Sequence, residues 1–205
     1  MGGLCMIGSM GDRAAFVLAG GQSTRMGADK AFVKFEGRTL LEHALALAKS
    51  VSSDVCIVGS REKFAALGEV VEDEFPQHGP LGGIHAALRR STAELNLILA
   101  VDMPFVELRF LQYLLEAAAR HENAVVTIPR AGGAWQTLCA VYRKPFADLA
   151  EQALREGKNK IDPLFRGIEM SIVEEHELTQ QNFSPDMFRN LNTLEELKQA
   201  SQLKF

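Results

Sequence analysis

The densest chemistry in this 205-residue sequence lies in Leu18-Ala19-Gly20-Gly21-Gln22-Ser23-Thr24-Arg25-Met26-Gly27, closed after Ala28 by Asp29 and Lys30. Adjacent glycines permit positive φ and close approach of a ligand to the backbone, and their amides can point at phosphate oxygens. Ser23 and Thr24 add hydroxyl donors, while Arg25 and Lys30 bring positive charge. Gly-Gly alone would suit an ordinary strand-to-helix turn; the hydroxyls and cations beside it favour a phosphate-binding loop. The loop is not a Walker A motif, because G-x-x-x-x-G-K-[ST] is absent. Nor does Gly20-Gly21-Gln22-Ser23-Thr24-Arg25 supply the G-x-G-x-x-G of a dinucleotide fingerprint.

A second group stands at Asp102, where the apolar run Leu97-Ile98-Leu99-Ala100-Val101 gives way to Met103-Pro104. A carboxylate at the end of a buried strand is costly unless it is solvated, caps a helix or meets a cation. Pro104 cannot continue a sheet, so the chain must turn there. Asp73 ends another apolar run and leads into a Pro/Gly-rich stretch, Phe75-Pro76-Gln77-His78-Gly79-Pro80-Leu81-Gly82-Gly83. Asn190 and Asn192 lie two apart and share one face of an extended segment. Thr193 and Glu196 form a capping box for a last helix. The five histidines show no metal-ligand spacing.

To bring such groups together the chain needs a layered scaffold, and its pattern supplies one. Strands are expected at residues 15–18, 55–58, 70–72, 95–101 and 124–128, alternating with helices at 40–50, 61–67, 83–90 and 108–121. Further on, strands at 138–142 and 170–173 and helices at 146–156 and 193–203 follow. Strands apolar almost throughout imply an α/β, three-layer Rossmann-like fold, a mostly parallel sheet with helices on both faces. Right-handed crossovers then gather the loops after the strands on one edge, where ligands bind in such sheets. Residues 19–39 read as one long irregular loop.

Composition narrows the class. With 47% apolar and 23% charged residues the chain is globular, not disordered, collagenous or coiled coil. A net charge of −4 with scattered basic residues gives no footprint for nucleic acid, and no apolar run is long enough for a membrane helix. Cys56 and Cys139 sit in apolar runs and are expected to be buried free thiols in a reducing, cytoplasmic setting. Residues 1–13 are expected to form a disordered lead, and 14–205 a single domain.

The string L-A-G-G-x-S-x-R-M-G-x-D-K resembles the signature of the molybdenum cofactor guanylyltransferase family, within the wider group of sugar-nucleotide-type nucleotidyltransferases. Asp102-Met103-Pro104 resembles the family's D-x-P, residues 75–83 its P-x-G-P-L-x-G-type loop, and residues 190–197 its N-x-N-T-x-E-E-L ending. The resemblance implies Mg²⁺-dependent transfer of GMP from GTP to the phosphate of molybdenum-molybdopterin, giving the guanine dinucleotide cofactor and pyrophosphate. The N-terminal half would take the nucleotide and the C-terminal half the acceptor.

On the same ground Leu18, Ala19, Gly20, Gly21, Lys30, Asp73 and Asp102 would bind the nucleotide. Lys30, Arg25 and Asp102 would be catalytic, Asp102 would hold the Mg²⁺, and Asp73 would meet the guanine edge. Asn190 and Asn192 would lie beside the metal and the acceptor phosphate. Trp135 could stack on a pterin or serve as a half-buried anchor with a satisfied indole N–H, and Lys158-Asn159-Lys160 could meet the pterin phosphate or stay solvated. The implied partners are GTP, a molybdopterin-type acceptor and transiently docking cofactor-synthesis or acceptor enzymes. One departure is plain: relatives place an asparagine after the second strand, where this chain has Gly59-Ser60-Arg61. CTP- or sugar-phosphate-dependent transfer therefore stays open. So does a non-catalytic cofactor carrier, although a carrier has no need of Arg25, Lys30 and Asp102 together.

Overall fold

The computed structural model describes residues 12–20, 29–191 and 196. Gly21, Ser23, Thr24, Arg25, Asn192, Thr193, the segment ahead of residue 12 and all but Glu196 of the helix expected at 193–203 lie outside the described residues. In chain order the strands are β1 (Arg13–Leu18), β2 (Lys34–Phe35), β3 (Arg38–Thr39), β4 (Asp54–Val58) and β5 (Glu69–Val71), then β6 (Leu95–Ala100), β7 (Val126–Ala131), β8 (Ala134–Trp135), β9 (Cys139–Tyr142) and β10 (Met170–Val173). The helices are α1 (Leu40–Val51), α2 (Arg61–Phe64), α3 (Pro80–Arg90), α4 (Leu108–Arg120), α5 (Pro145–Arg155) and α6 (Glu175–Gln180). Thus β1 already includes Arg13, the last residue of the expected lead.

The main sheet has the order β10-β7-β9-β6-β1-β4-β5, with β8 paired to β7. β6, β1, β4 and β5 run parallel, as do β10 and β7. Only β9 opposes both its neighbours, β6 and β7. The reason is connection length: the chain from Ala131 to Cys139 has room for the β8 hairpin but not for a crossover helix, and only a crossover can return a strand parallel.

Both faces are buried, as the apolar strands require. Ala15 and Val17 of β1 and Leu97 and Leu99 of β6 pack in one core with α1 and α4. Ala14 and Phe16 of β1 and Ile98 of β6 turn to the other face, against α3 and α5. Each large apolar side chain so buried contributes about 1.5–3 kcal/mol. The chain leaves β1 for β4 on one side and returns through α3 to β6 on the other, so the strand order reverses at β1. Such a switch point leaves a crevice at the carboxyl ends of β1 and β6, where Leu18 pairs with Ala100.

Four local expectations are corrected. Residues 29–39 are ordered, with a short 3₁₀ turn at Lys30–Phe32 and the β2–β3 hairpin, whose two-residue turn puts Glu36 at φ 50° and Gly37 at φ 84°. α2 ends at Phe64 rather than Leu67, because the chain must re-enter the sheet at Glu69. α3 starts at Pro80, three residues early: Gly79 takes φ 67° and Pro80 suits the first helical turn. β7 runs past Pro129, which is tolerated because pairing with β9 is confined to Val126 and Thr127.

Candidate active site

A cleft of about 1000 Å³ opens at the carboxyl edge, over the switch point. Its walls include Leu18, Gly20, Lys30, Ser60, Asp73 and Asp102. Groups far apart in the sequence therefore meet there.

The glycine-rich loop leaves β1 along the floor of this cleft. Both the Ala19 and the Gly20 amides donate to the Val58 carbonyl, at 3.0 and 3.1 Å. These two amides anchor the loop to β4 and are committed before any ligand arrives. Leu18, Ala19 and Gly20 line the cleft.

Lys30 returns to the cleft at the far end of that loop. Its turn is capped by Asp29, whose Oδ1 accepts from the Ala31 amide at 3.2 Å. Lys30 Nζ then lies 3.0 Å from Asp102 Oδ2, across 72 residues of sequence. Both side chains are largely withdrawn from water, 19% and 17% exposed, so this is a well-shielded pair. Asp102 itself follows directly on β6, where the Val101 amide donates to the Leu18 carbonyl at 3.1 Å and fixes the turn. Asp102 caps no helix, for α4 begins at Leu108 with Glu107 as its N-cap residue. The helix-cap reading is thereby excluded.

The C-terminal motif reaches the same place. The Leu191 amide donates to the Asp102 carbonyl at 2.9 Å, which brings the exposed Asn190 beside the Asp102 turn. Leu191 is fully buried and anchors the segment.

Asp73 forms the opposite wall. Its Oδ1 accepts from the Phe75 amide at 2.7 Å, and its carboxylate packs on Gly82 in the first turn of α3. A Cβ at Gly82 would sit 2.3 Å from Asp73 Oδ2, so only glycine leaves room for this placement. Burial raises the carboxyl pKa, opposed by the hydrogen bond from the Phe75 amide. The group is thus a shielded acceptor inside a cleft.

Sequence reasoning missed Lys63, which also lines the cleft. Its Nζ lies 2.7 Å from Asp29 Oδ2, and that hydrogen bond raises the ammonium pKa. The signal was available: Lys63 stands three residues after Ser60, one turn along a helix that starts at the ligand edge of β4. Trp135 and the 158–160 stretch do not line the cleft. Trp135 packs edge-on against Phe165, and its buried indole nitrogen finds no partner among the described residues, contrary to the satisfied anchor expected. Lys158 pairs with Glu156.

Among the described residues Asp54, Cys56 and Glu69 also gather as a potential cation site, at the opposite edge of the sheet. Arg90 occupies that place, with Nη2 2.7 Å from Glu69 and 3.6 Å from Asp54. Burial pushes the Cys56 thiol up to about 11, and Cys56 and Cys139 are both free and buried, as expected.

The sequence profile of the MobA-like NTP transferase domain matches residues 15–173. A probable molybdenum cofactor guanylyltransferase of Clostridium perfringens is 31% identical over 196 residues, covering 94% of this chain and 98% of its own. A molybdenum cofactor guanylyltransferase of Desulfosudis oleivorans is 31% identical over 189 residues, covering 90% and 92%. Among solved structures, molybdopterin-guanine dinucleotide biosynthesis protein A of Archaeoglobus fulgidus superposes with a TM-score of 0.80 at 27% identity, covering 93% of this chain and 97% of that one.

Proposed function

This chain belongs to the MobA-like NTP transferase family, and from that premise we propose that it transfers GMP from GTP to the phosphate of molybdenum-molybdopterin, releasing pyrophosphate. The observation that carries the reading is the Lys30–Asp102 pair at the switch-point cleft, with Asp73 on the opposite wall and Asn190 beside the Asp102 turn. The same fold and premise make it an enzyme of nucleotidyl transfer.

In this reaction an acceptor phosphate oxygen attacks the α-phosphorus in line, the new P–O bond forms, and the bond to pyrophosphate breaks. The acceptor is already an anionic nucleophile, so alignment and charge neutralisation are what the protein must provide. Lys30 meets charge on the α-phosphate and the departing pyrophosphate, Arg25 the triphosphate, and Asn190 with Asn192 the acceptor phosphate. Asp102 suits a hard divalent cation: it offers one shielded carboxylate in a cleft that would also hold phosphate oxygens and water. Mg²⁺ held there would supply neutralisation of phosphate charge. Asp73, a shielded acceptor, suits the N1–H and N2–H₂ of guanine. Leu18, Ala19, Gly20 and Gly21 would complete the nucleotide floor.

GTP with Mg²⁺ is expected to raise the melting temperature more than CTP or UTP at equal concentration, since stabilisation follows RT ln(1 + [L]/Kd). A larger shift with CTP would instead assign the cytidylyl reaction, which Ser60 at the asparagine position keeps as the rival. Turnover of the three triphosphates against the pterin acceptor completes the comparison. A protein that binds the finished cofactor yet releases no pyrophosphate would be a carrier.

Gly82→Ala tests the Asp73 assignment. The added methyl must displace the short Asp73 side chain rather than backbone, so the fold should survive. The GTP Kd is expected to rise about tenfold, the size of one lost hydrogen-bonded contact to a charged group, while CTP binding changes less. Equal weakening of both nucleotides would remove Asp73 from base recognition. Among the described residues no helix is long and apolar enough to cross a membrane, and the buried free thiols suit the cytoplasmic setting of the proposed reaction.

A further inference from the structure

Asp29 and Lys63 join two stretches of the cleft lining. Asp29 closes the glycine-rich loop, and Lys63 belongs to α2, which follows β4. One Asp29 oxygen holds the turn that carries Lys30, and the other accepts from Lys63 Nζ at 2.7 Å. Beside this pair Phe32 stacks on Phe64, with ring centroids 5.7 Å apart and planes 28° from parallel. The aromatic stack needs no charge and persists whatever happens to the ion pair.

Two ion pairs among the described residues of the cleft have one feature in common. Lys30 pairs with Asp102, and Lys63 with Asp29, so each of these ammonium groups rests on a carboxylate. The Lys63 side chain is 55% exposed, and an ion pair so open to water is weak and easily exchanged. A polyphosphate carries several negative charges along one chain, against the single charge of a carboxylate that already serves an amide. Asp29, Lys30, Lys63 and Asp102 all line the one cleft, so a triphosphate held there meets both ammonium groups.

We propose that Lys63 is a further substrate-binding residue: it leaves Asp29 to bond the polyphosphate of the incoming nucleotide, and Asp29 is its resting counter-ion and competitor. The inference rests on the nucleotide-transfer reading above and adds a residue to it. It also makes Asp29 an inhibitor of its own site, which no purely structural clasp would be.

Asp29→Asn separates the two roles, because asparagine caps a turn about as well as aspartate but carries no charge. Binding of GTP with Mg²⁺, and of inorganic triphosphate with Mg²⁺, is measured by calorimetry for the full chain, with melting temperatures as the check on folding. Lys63→Gln should weaken both ligands about tenfold, as loss of one charge-assisted bond does. Asp29→Asn should tighten both several-fold, and this gain should vanish in the Lys63→Gln background. Unchanged binding in Lys63→Gln overturns the proposal, as does unchanged or weaker binding in Asp29→Asn. A gain from Asp29→Asn that survives in the double variant overturns it too, since Lys63 would then not mediate the effect. Wild-type protein that binds no triphosphate at all would refute the nucleotide reading itself, a result distinct from any of these.

Discussion

Lys30→Ala is expected to lower kcat by about 10²-fold or more, with a smaller effect on the KM for GTP, because a charge placed where negative charge accumulates acts mainly in the transition state. The geometry supports that split. Lys30 is fixed at 3.0 Å from Asp102 on a capped turn, so its ammonium is pre-positioned rather than recruited. A preorganised charge in a shielded cleft lowers the barrier without reorganisation at the moment of reaction. Its partner's exposure of 17% means the loss of Lys30 leaves Asp102 less well compensated, and a modest fall in melting temperature should accompany the kinetic defect. Added Mg²⁺ should recover that part of the stability, but not kcat. Single-turnover rates with the pterin acceptor make the measurement, since they exclude pyrophosphate release as the slow step. A kcat near wild type would take Lys30 out of the chemistry.

The sequence carried the strands and the motifs well, and their mutual placement poorly. β1, β4 and β6 were legible because a strand buried on both faces must be apolar at nearly every position, and these runs are short and rich in Val and Ile or bounded by turn residues. The direction of β9 was not legible: whether a strand runs with or against its neighbours depends on what the chain does between Ala131 and Cys139, not on the strand's own residues. The β2–β3 hairpin was missed although Gly37 signalled it, because a two-residue strand has too few positions to show alternation. The site divides in the same way. Asp73 and Asp102 could be named from residue type and position after strands, and Lys30 from its place closing the glycine-rich loop. Their meeting in one cleft follows from the strand order around β1, and the Leu191–Asp102 hydrogen bond that delivers Asn190 joins residues 89 apart in sequence. Lys63 was missed for a different reason: its place one turn into the helix after β4 was readable, but a lysine on an exposed helix is ordinary, and its contact with Asp29 is what gives that place weight.

Asp102→Asn is expected to abolish Mg²⁺-dependent turnover while leaving the fold in place. Asparagine keeps the shape of the side chain and one acceptor oxygen, which Lys30 can still use, so the turn after β6 should hold. The Val101 and Leu191 hydrogen bonds that shape it are made by backbone groups and do not involve the carboxylate. What is lost is the charge that a hard cation requires from its single protein carboxylate. A second effect should run in the opposite direction. In the wild-type protein the Asp102 carboxylate repels the phosphates that Lys30 attracts; in the variant that repulsion is gone. GTP binding measured in EDTA should therefore be unchanged or tighter in Asp102→Asn, while the gain in affinity that Mg²⁺ gives the wild type should disappear. A purely structural aspartate predicts the reverse pattern: asparagine would serve the turn nearly as well, Mg²⁺ would still strengthen GTP binding, and turnover would survive. Retention of the Mg²⁺ response in this one variant would remove Asp102 as the metal-holding residue and with it the assigned route for neutralising charge at the α-phosphate.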